Sequence, residues 1–504
     1  MFVLKRPCSK QKCRTAAALT VATLILVIVA WLRSGEYDEY YSTFLIAGDP
    51  RPHWPTIPVM VAALRGFYHG QASFIQIAQN LRHGDVHPPL YFWLLSLWRD
   101  AFGMDLVRLR LLSILLTSLA LASLTRMAQR FGVSAPLAIM ITILCYGFAY
   151  TGIVARNFAL ADAFSLTGVM LLLEADECHK PAWGLLAGLL LGAACFSNYL
   201  ASFTTIAALG WIALNNWHRP ALWLMPALGA ALFIPAGAWF FLAQAGTRSG
   251  QFHRFRLGRA LLDLIRDQAG AILGALPRYA APPWSVAIET LLGIFAVVLT
   301  IVVIRTGLPS LTPRHRRLVI SMILAPPLGL LALGAIFNNT PIEVRYVWLG
   351  LPYIGLGLAA GLRRKPWLTG TLIAIQAAAI IGLAIAPQTM QPAARTVRLA
   401  TEAAGPRTLV LVPFGNDGVG IPGPFIAASP NTMTVRIVRT VRPALLSETA
   451  PFHRAIIANI TVDDKSRALI PQLDALFKTS NCWRQDKSPT EIIVFANHCP
   501  DHRD

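Results

Sequence analysis

Apolar runs, many of roughly 17–25 residues, recur along this chain and decide its class, because about 20 apolar residues make a helix long enough to cross a bilayer. Only helices and closed barrels satisfy every backbone polar group in that setting. The runs fall at 15–32, 106–127, 135–150, 158–173, 183–196, 200–215, 221–242, 286–304, 318–336, 344–362 and 367–386, which predicts an α-helical polytopic membrane protein of about 11 spans. Charge agrees with this: 14% of the 504 residues are charged, against about 25% in a soluble domain. A net charge of +19 would suggest nucleic acid in a soluble protein. Here basic residues at span ends account for most of it.

Lys5, Arg6, Lys10, Lys12 and Arg14 precede the first run, and no small-x-small cleavage site follows it. It therefore reads as a retained span with a cytoplasmic N-terminus. Residues 33–103 then form an outer loop. The clusters Arg314, Arg316, Arg317 and Arg363, Arg364, Lys365 mark inner connectors, which places the tail after Pro387 outside. The expected domains are a transmembrane part at 1–387, in the inner (plasma) membrane, and an extracytoplasmic soluble part at 388–504. In the latter, β-branched runs at 408–414, 432–438, 455–460 and 492–496 alternate with helical patterns at 393–404 and 468–477, giving a small α/β domain. Cys482 and Cys499 share this segment on the oxidising side, so they are expected to pair as a disulfide. The seven cysteines show no metal-ligand spacing.

The loop at 33–103 is long for a connector, since loops beyond about 12–15 residues are usually functional or disordered. Its Trp, Phe, Tyr and Leu content argues against disorder. Residues 59–67 and 73–81 have helical spacing of apolar positions, and 88–102 is apolar and aromatic but broken by Arg99 and Asp100. These read as interfacial helices. Asp38 and Glu39 follow the first span within a cluster of Tyr37, Tyr40 and Tyr41, and Asp85-x-His87-Pro88-Pro89 returns at the loop's far end. Interfacial carboxylates often do no more than end a helix. Beside aromatic faces suited to a sugar ring, however, a shielded carboxylate can take a proton from an attacking hydroxyl.

Asp38-Glu39 after the first span, followed by Asp85-Val86-His87-Pro88-Pro89-Leu90-Tyr91-Phe92-Trp93-Leu94 and by Val107-Arg108-Leu109-Arg110, resembles the first outer loop of the GT-C glycosyltransferases. The resemblance is to the branch around protein O-mannosyltransferases, lipid A aminoarabinose transferases and lipopolysaccharide galacturonosyl transferases, and it covers about the first 175 residues. It implies an enzyme transferring a sugar from a polyprenyl-phosphate carrier to an acceptor hydroxyl, with inversion, in building a cell-envelope glycan. The acceptor would be a glycan, a lipid or a protein. Asp38 would be the general base, Glu39 would position the acceptor or a cation, and Asp85 would be the acid of the second motif. His87 and Tyr91 lie in that motif as substrate contacts. Arg156 matches a basic position of the family and Arg345-Tyr346 its late Arg-Tyr pair; the two arginines would face the departing phosphate, with Tyr346 a further substrate contact. Asp38 and Glu39 together could hold a divalent cation.

One feature stands apart from the resemblance. The stretch 243–284 carries Arg248, Arg254, Arg256, Arg259, Arg266 and Arg278 against Asp263 and Asp267, on the outer side by this topology. An anionic headgroup, such as a donor-lipid phosphate at Arg254 and Arg256, would explain it; long loops also escape the charge rule. The glycines of 415–423 lack a following Lys-Ser/Thr and so make no phosphate loop. The competing class is a membrane transporter or lipid flippase, which would place ionisable residues at mid-span in paired broken helices.

Overall fold

The computed structural model describes residues 10–244, 252–385 and 393–499. It divides into two compact units. One takes the chain up to Arg33, Ala78–Trp98, and Val107 through the last long helix; the other takes Ser34–Ile77, Arg99–Leu106 and the C-terminal region.

Among the described residues of the first unit and its boundaries, six helices are long and apolar enough to cross a membrane: Lys10–Leu32, Leu106–Arg130, Phe158–Cys178, Trp284–Ser310, Pro313–Phe337 and Pro366–Ile385. Two bent pairs add Ala135–Leu144 with Tyr146–Ile153, and Pro220–Ala231 with Ile234–Gln244. Shorter apolar helices cover Pro181–Cys195, Ala201–Asn215 and Trp348–Leu362. These segments correspond one for one to the eleven apolar runs.

Breaks in such helices free backbone carbonyls that water cannot reach, and side chains take them up. The first bent pair turns by 76°. Beyond it, Ser113 Oγ donates to the Val154 carbonyl at 2.7 Å and Thr117 Oγ1 to that of Gly152 at 3.0 Å. The C-terminus of the first span is closed by Arg110, buried, whose Nη1 donates to the Ala30 and Arg33 carbonyls at 2.6 and 2.7 Å. A cation at a helix C-terminus also opposes the helix dipole.

Gly184, Gly188 and Gly192 recur every four residues on Pro181–Cys195 and face Pro220–Ala231, the small-residue spacing that lets two helices approach closely in lipid. A Cβ at 188 would lie 2.1 Å from the Pro226 carbonyl oxygen, and one at 192 would lie 2.5 Å from the Phe233 ring.

The basic stretch 243–284, expected as a loop, contains the helix Leu257–Leu273. Its arginines mask an apolar stripe (Ala260, Leu264, Ala271, Leu273) that is buried. Arg259 pairs with Asp263 at 3.8 Å and Arg266 with Glu289 at 2.9 Å on the open side. Arg248 lies outside the described residues.

The second unit is built on a six-stranded sheet. Its strands are β1 Val59–Met60, β2 Thr408–Pro413, β3 Thr434–Val438, β4 Arg454–Ala458, β5 Trp483–Asp486 and β6 Ile492–Asn497, in the order β1-β3-β2-β4-β6-β5. The pairs β2–β3 and β2–β4 are parallel; β1–β3, β4–β6 and β5–β6 are antiparallel. Leu409, Leu411, Ala455, Ile457 and Phe495 pack against Leu469, Ile470, Leu473 and Phe477 of the helix Asp464–Lys478. Trp483 opposes Asn497 across β5 and β6. That register brings the flanking Cys482 and Cys499 together, and they form the expected disulfide.

The sequence assigns all of 33–103 to the membrane part. The structure divides that loop, because Val59–Met60, expected within a helix, pairs with β3 at the sheet edge. The expected boundary at 387/388 lies outside the described residues. Helices follow at Val61–Leu64, Gly66–His69, Phe74–Gly84 and Leu90–Phe102.

Because the Gly188 position meets backbone rather than a side-chain tip, Gly188→Ala is expected to force the two helices apart and cost about 1–3 kcal/mol, as overpacking does. A lowered thermal midpoint of the purified protein checks it, with Gly210→Ala, which meets nothing within 4 Å, as the neutral comparison.

Candidate active site

In the first unit, the turn that ends Phe74–Gly84 and opens Leu90–Phe102 is held from several sides. Asp85 Oδ1 accepts the Val86 N–H at 2.8 Å, and Oδ2 accepts from Arg156 Nη2 at 3.3 Å. Both side chains are buried, Arg156 with 2% exposure. The Arg156 guanidinium lies 5.4 Å over the Phe92 ring. Asn157, next in the chain, donates to the Ser197 carbonyl at 2.7 Å and meets His87 Nδ1 at 3.2 Å. Gln244 Nε2 donates to the Leu81 and His87 carbonyls, each at 3.0 Å, while its Oε1 accepts from the Tyr199 hydroxyl. Tyr91 is fully buried, with its hydroxyl 3.2 Å from Ser113 Oγ. Breaking a buried ion pair by removing one partner costs about 3–5 kcal/mol, so the Asp85–Arg156 pair fixes this turn.

Arg345 and Tyr346 sit in a single 3₁₀ turn, Val344–Tyr346. Arg345 Nε donates to Glu343 Oε2 at 2.6 Å, and its guanidinium lies 5.4 Å over the Tyr346 ring. Two residues on, buried Trp348 meets Phe158 edge-on at 5.0 Å between ring centroids. Asp162, buried one turn further along Phe158–Cys178, lies beside the Trp348 indole. The start of that helix thus touches both the Arg156 turn and the segment following Arg345. Arg254 and Arg256 are exposed; Arg256 directly precedes Leu257–Leu273, and the Arg254 carbonyl accepts from Thr340 Oγ1 at 3.5 Å. On that helix the half-buried Asp267 carboxyl is pushed up to about 6, by burial first and then by Glu343 and Asp263, against Arg278 and Arg266.

Asp38 and Glu39 belong to the second unit, in the helix Tyr37–Ala47. Glu39 is fully buried and turned back on its own helix, where its Oε2 accepts the Glu36 N–H at 3.2 Å in a capping box. A cap of this kind satisfies donors that the first turn leaves open. Asp38, beside Glu39 on the same helix, is 9% exposed. Among the described residues no three His, Cys, Asp or Glu side chains converge in a way that could hold a metal ion.

The structure therefore brings together Asp85, His87 and Arg156, and sets Arg345 and Tyr346 with Glu343. Sequence reasoning did not find Asn157, Asp162, Gln244 or Glu343. Asp162 left a usable signal, since a lone carboxylate inside an apolar run is costly and rarely idle. Asn157 and Gln244 left none, because each acts on a backbone carbonyl far away in sequence.

A family model described as dolichyl-phosphate-mannose-protein mannosyltransferase matches residues 86–239. The solved structure of ArnT from Cupriavidus metallidurans bound to undecaprenyl phosphate matches with a TM-score of 0.50 at 13% identity, over 96% of this chain and 97% of that one. The chain carries the GT-C fold. The apo state of the same ArnT matches with a TM-score of 0.41 at 14% identity, over 96% of this chain and 97% of that one. An oligosaccharyltransferase of Archaeoglobus fulgidus, tethered to an acceptor peptide, matches with a TM-score of 0.41 at 12% identity, over 96% of this chain and 74% of that one. No curated protein matches the sequence. The stretch matched by the family model opens directly after Asp85 and contains His87, Tyr91, Arg156 and Asn157.

The Asp267 carboxyl yields a pH prediction. An ordinary aspartate loses its proton near pH 4, so between about pH 4 and 6 the folded protein retains a proton that the unfolded chain has released. Stability contributed by that retained proton is present below this window and is lost as pH rises through it. Asp267→Asn should match the parent's thermal midpoint near pH 4 and exceed it increasingly up to about pH 6.5, then hold a constant lead. A lead that does not vary with pH would show an unperturbed carboxyl.

Proposed function

We propose that this chain is an integral membrane glycosyltransferase. It moves a sugar from a polyprenyl-phosphate carrier to an acceptor hydroxyl at the outer face of the inner membrane, with inversion at the anomeric carbon. The observation that carries this reading is the buried Asp85–Arg156 pair, 3.3 Å apart, at the opening of the stretch that matches the mannosyltransferase family. An arginine already desolvated and oriented by a carboxylate can meet a phosphate without reorganising, which is what stabilises a departing anion most effectively. ArnT, which shares the fold, was solved with undecaprenyl phosphate, a carrier lipid of the class proposed here.

In the reaction, the acceptor oxygen attacks the anomeric carbon while Asp38 takes the hydroxyl proton. The bond from that carbon to the phosphate oxygen breaks, and its electron pair leaves on the phosphate. The transition state is oxocarbenium-like, as in inverting sugar transfer with a carboxylate base. Arg156 and Arg345 meet the developing phosphate charge, with Asp85 and Glu343 holding each guanidinium. Tyr346 backs Arg345, and His87 shapes the turn beside Arg156. Arg254 and Arg256 attract the anionic headgroup. Glu39 holds the helix that presents Asp38. The sheet-bearing unit faces the oxidising compartment, where the Cys482–Cys499 disulfide persists, and helps recruit the acceptor. The inner-side clusters at 314–317 and 363–365 set this orientation.

A panel of radiolabelled polyprenyl-phosphate sugars offered to the purified protein tests the proposal. Transfer from at least one donor is expected. Asp38→Asn should lower kcat by about 10²–10⁴, the usual worth of a general base, and Arg345→Ala should lower kcat as well, because the charge it meets develops in the transition state. Transfer undiminished in Asp38→Asn removes the base. Movement of the carrier lipid across vesicles without transfer from any donor would establish a flippase instead.

A further inference from the structure

The glycines at 415–423 make no phosphate loop, yet the second unit uses them. They form the turn after β2, where Gly415 (φ +70°) and Gly418 (φ +79°) adopt the left-handed backbone that favours glycine. The turn is tied down on both sides. The Asn416 N–H donates to Asp463 Oδ2 at 2.9 Å, Lys465 Nζ donates to the Asn416 carbonyl at 3.0 Å, and Trp54 Nε1 donates to the Gly418 carbonyl at 2.6 Å. Asp417 sits at its tip. One carboxylate oxygen, Oδ1, accepts the Val419 N–H at 3.1 Å within the turn, and the other, Oδ2, accepts the hydroxyl of Tyr37. Tyr37 is the first residue of Tyr37–Ala47, the helix that carries Asp38.

We infer that Asp417 is a positioning residue for the Asp38 carboxylate, acting through the Tyr37 hydroxyl. This rests on the reading of Asp38 as the general base. The first turn of a helix is where fraying begins, and the neighbouring Tyr37 is locked to a rigid turn 380 residues away in sequence. Charged and aromatic side chains reach Tyr37 from the turn, from its own helix and from the segment after it. Asp417 comes from the turn and Asp38 from the helix itself. Arg51, 3.8 Å from Asp417, comes from the segment after the helix, and the Tyr41 ring stacks at 6.3 Å. Burial raises the Tyr37 hydroxyl well above the usual tyrosine range, and both acids raise it further against Arg51. The hydroxyl therefore stays protonated and can donate, and it lies within the fields of two carboxylates. Removing Asp417 takes one of the two like charges near Tyr37 away from Asp38. That change favours ionised Asp38, making it a weaker base and moving the acid limb to lower pH.

The test uses the full-length protein and a polyprenyl-phosphate sugar it transfers, comparing Asp417→Ala, Asp417→Asn, Tyr37→Phe, the Asp417→Ala/Tyr37→Phe double variant and Asp38→Asn. Asp417→Ala and Tyr37→Phe should each lower kcat about tenfold or more, as misplacing a reacting group does, with donor KM within about twofold of the parent. The acid limb of kcat should move to lower pH in Asp417→Ala. The double variant should be no worse than either single one. Asp417→Asn keeps Oδ1 for the Val419 N–H and can donate Nδ2 to the tyrosine oxygen, so it should recover most of kcat while keeping the shifted limb. If Asp38→Asn is inactive but Tyr37→Phe and both Asp417 variants keep the parent's kcat and pH profile, the positioning role is wrong and the base assignment stands. If Asp38→Asn is fully active, the base assignment fails and this inference fails with it. Should Asp417→Ala fold poorly by thermal unfolding, Tyr37→Phe and Asp417→Asn decide the matter, since each leaves the turn's own bond from Val419 available.

Discussion

Backbone carbonyls freed where apolar helices break must find donors, and the first unit is arranged around that requirement. Val154 follows a helix that ends at Ile153, and its carbonyl is capped by Ser113. The Arg156 N–H bonds the same carbonyl at 2.7 Å. The chain is thereby turned tightly enough that Arg156 and Asn157 emerge together, one toward Asp85 and the other toward His87 and Ser197. Removing the Ser113 hydroxyl would disturb more than one bond, because the direction of the arginine depends on how that carbonyl is held. The polar residues inside the spans thus do two things at once. They satisfy backbone groups that lipid cannot, and they aim the charged side chains.

A buried ion pair is weak evidence for stability, since desolvation of both charges offsets much of the attraction. Hydrophobic replacements of equal volume would often hold a fold as well. Under the proposed function, the buried Asp85–Arg156 pair presents an oriented, desolvated cation. A solvated surface arginine would have to shed water and lose side-chain freedom on meeting a phosphate. Arg156 has already done both, with Asp85 on one side and the Phe92 ring beneath. Arg345 repeats the arrangement in a more open form, with Glu343 and the Tyr346 ring in the same roles.

What the sequence revealed follows from the range of each interaction. Apolar runs are local, so all eleven segments could be located in advance, including those that bend. The strands of the sheet were legible where β-branched residues run together, at 408–413 and 434–438, and not at β1, which is two residues long and exists only because β3 offers an edge. The helix Leu257–Leu273 was hidden because its arginines made the stretch read as a loop, although its apolar positions repeat at helical spacing. In the candidate site, residue types were legible and partnerships were not. Asp85 and Arg156 are 71 residues apart, and nothing local to either marks the other as its partner. The same holds for Tyr37 and Asp417.

The adjacent carboxylates at 38 and 39 show how local geometry divides labour. Successive residues on a helix point about 100° apart, so two neighbouring acids do not present themselves to one reacting atom as a pair. Glu39 is turned back to the N-terminus of its own helix, where it accepts a backbone N–H at full burial. Its charge is neutralised in part by the open donors of that first turn. Asp38, one residue earlier, points to a different side of the helix. One acid thereby stabilises the helix start and the other is carried by it, so that the group proposed to take the proton stands on a turn that its neighbour has made rigid.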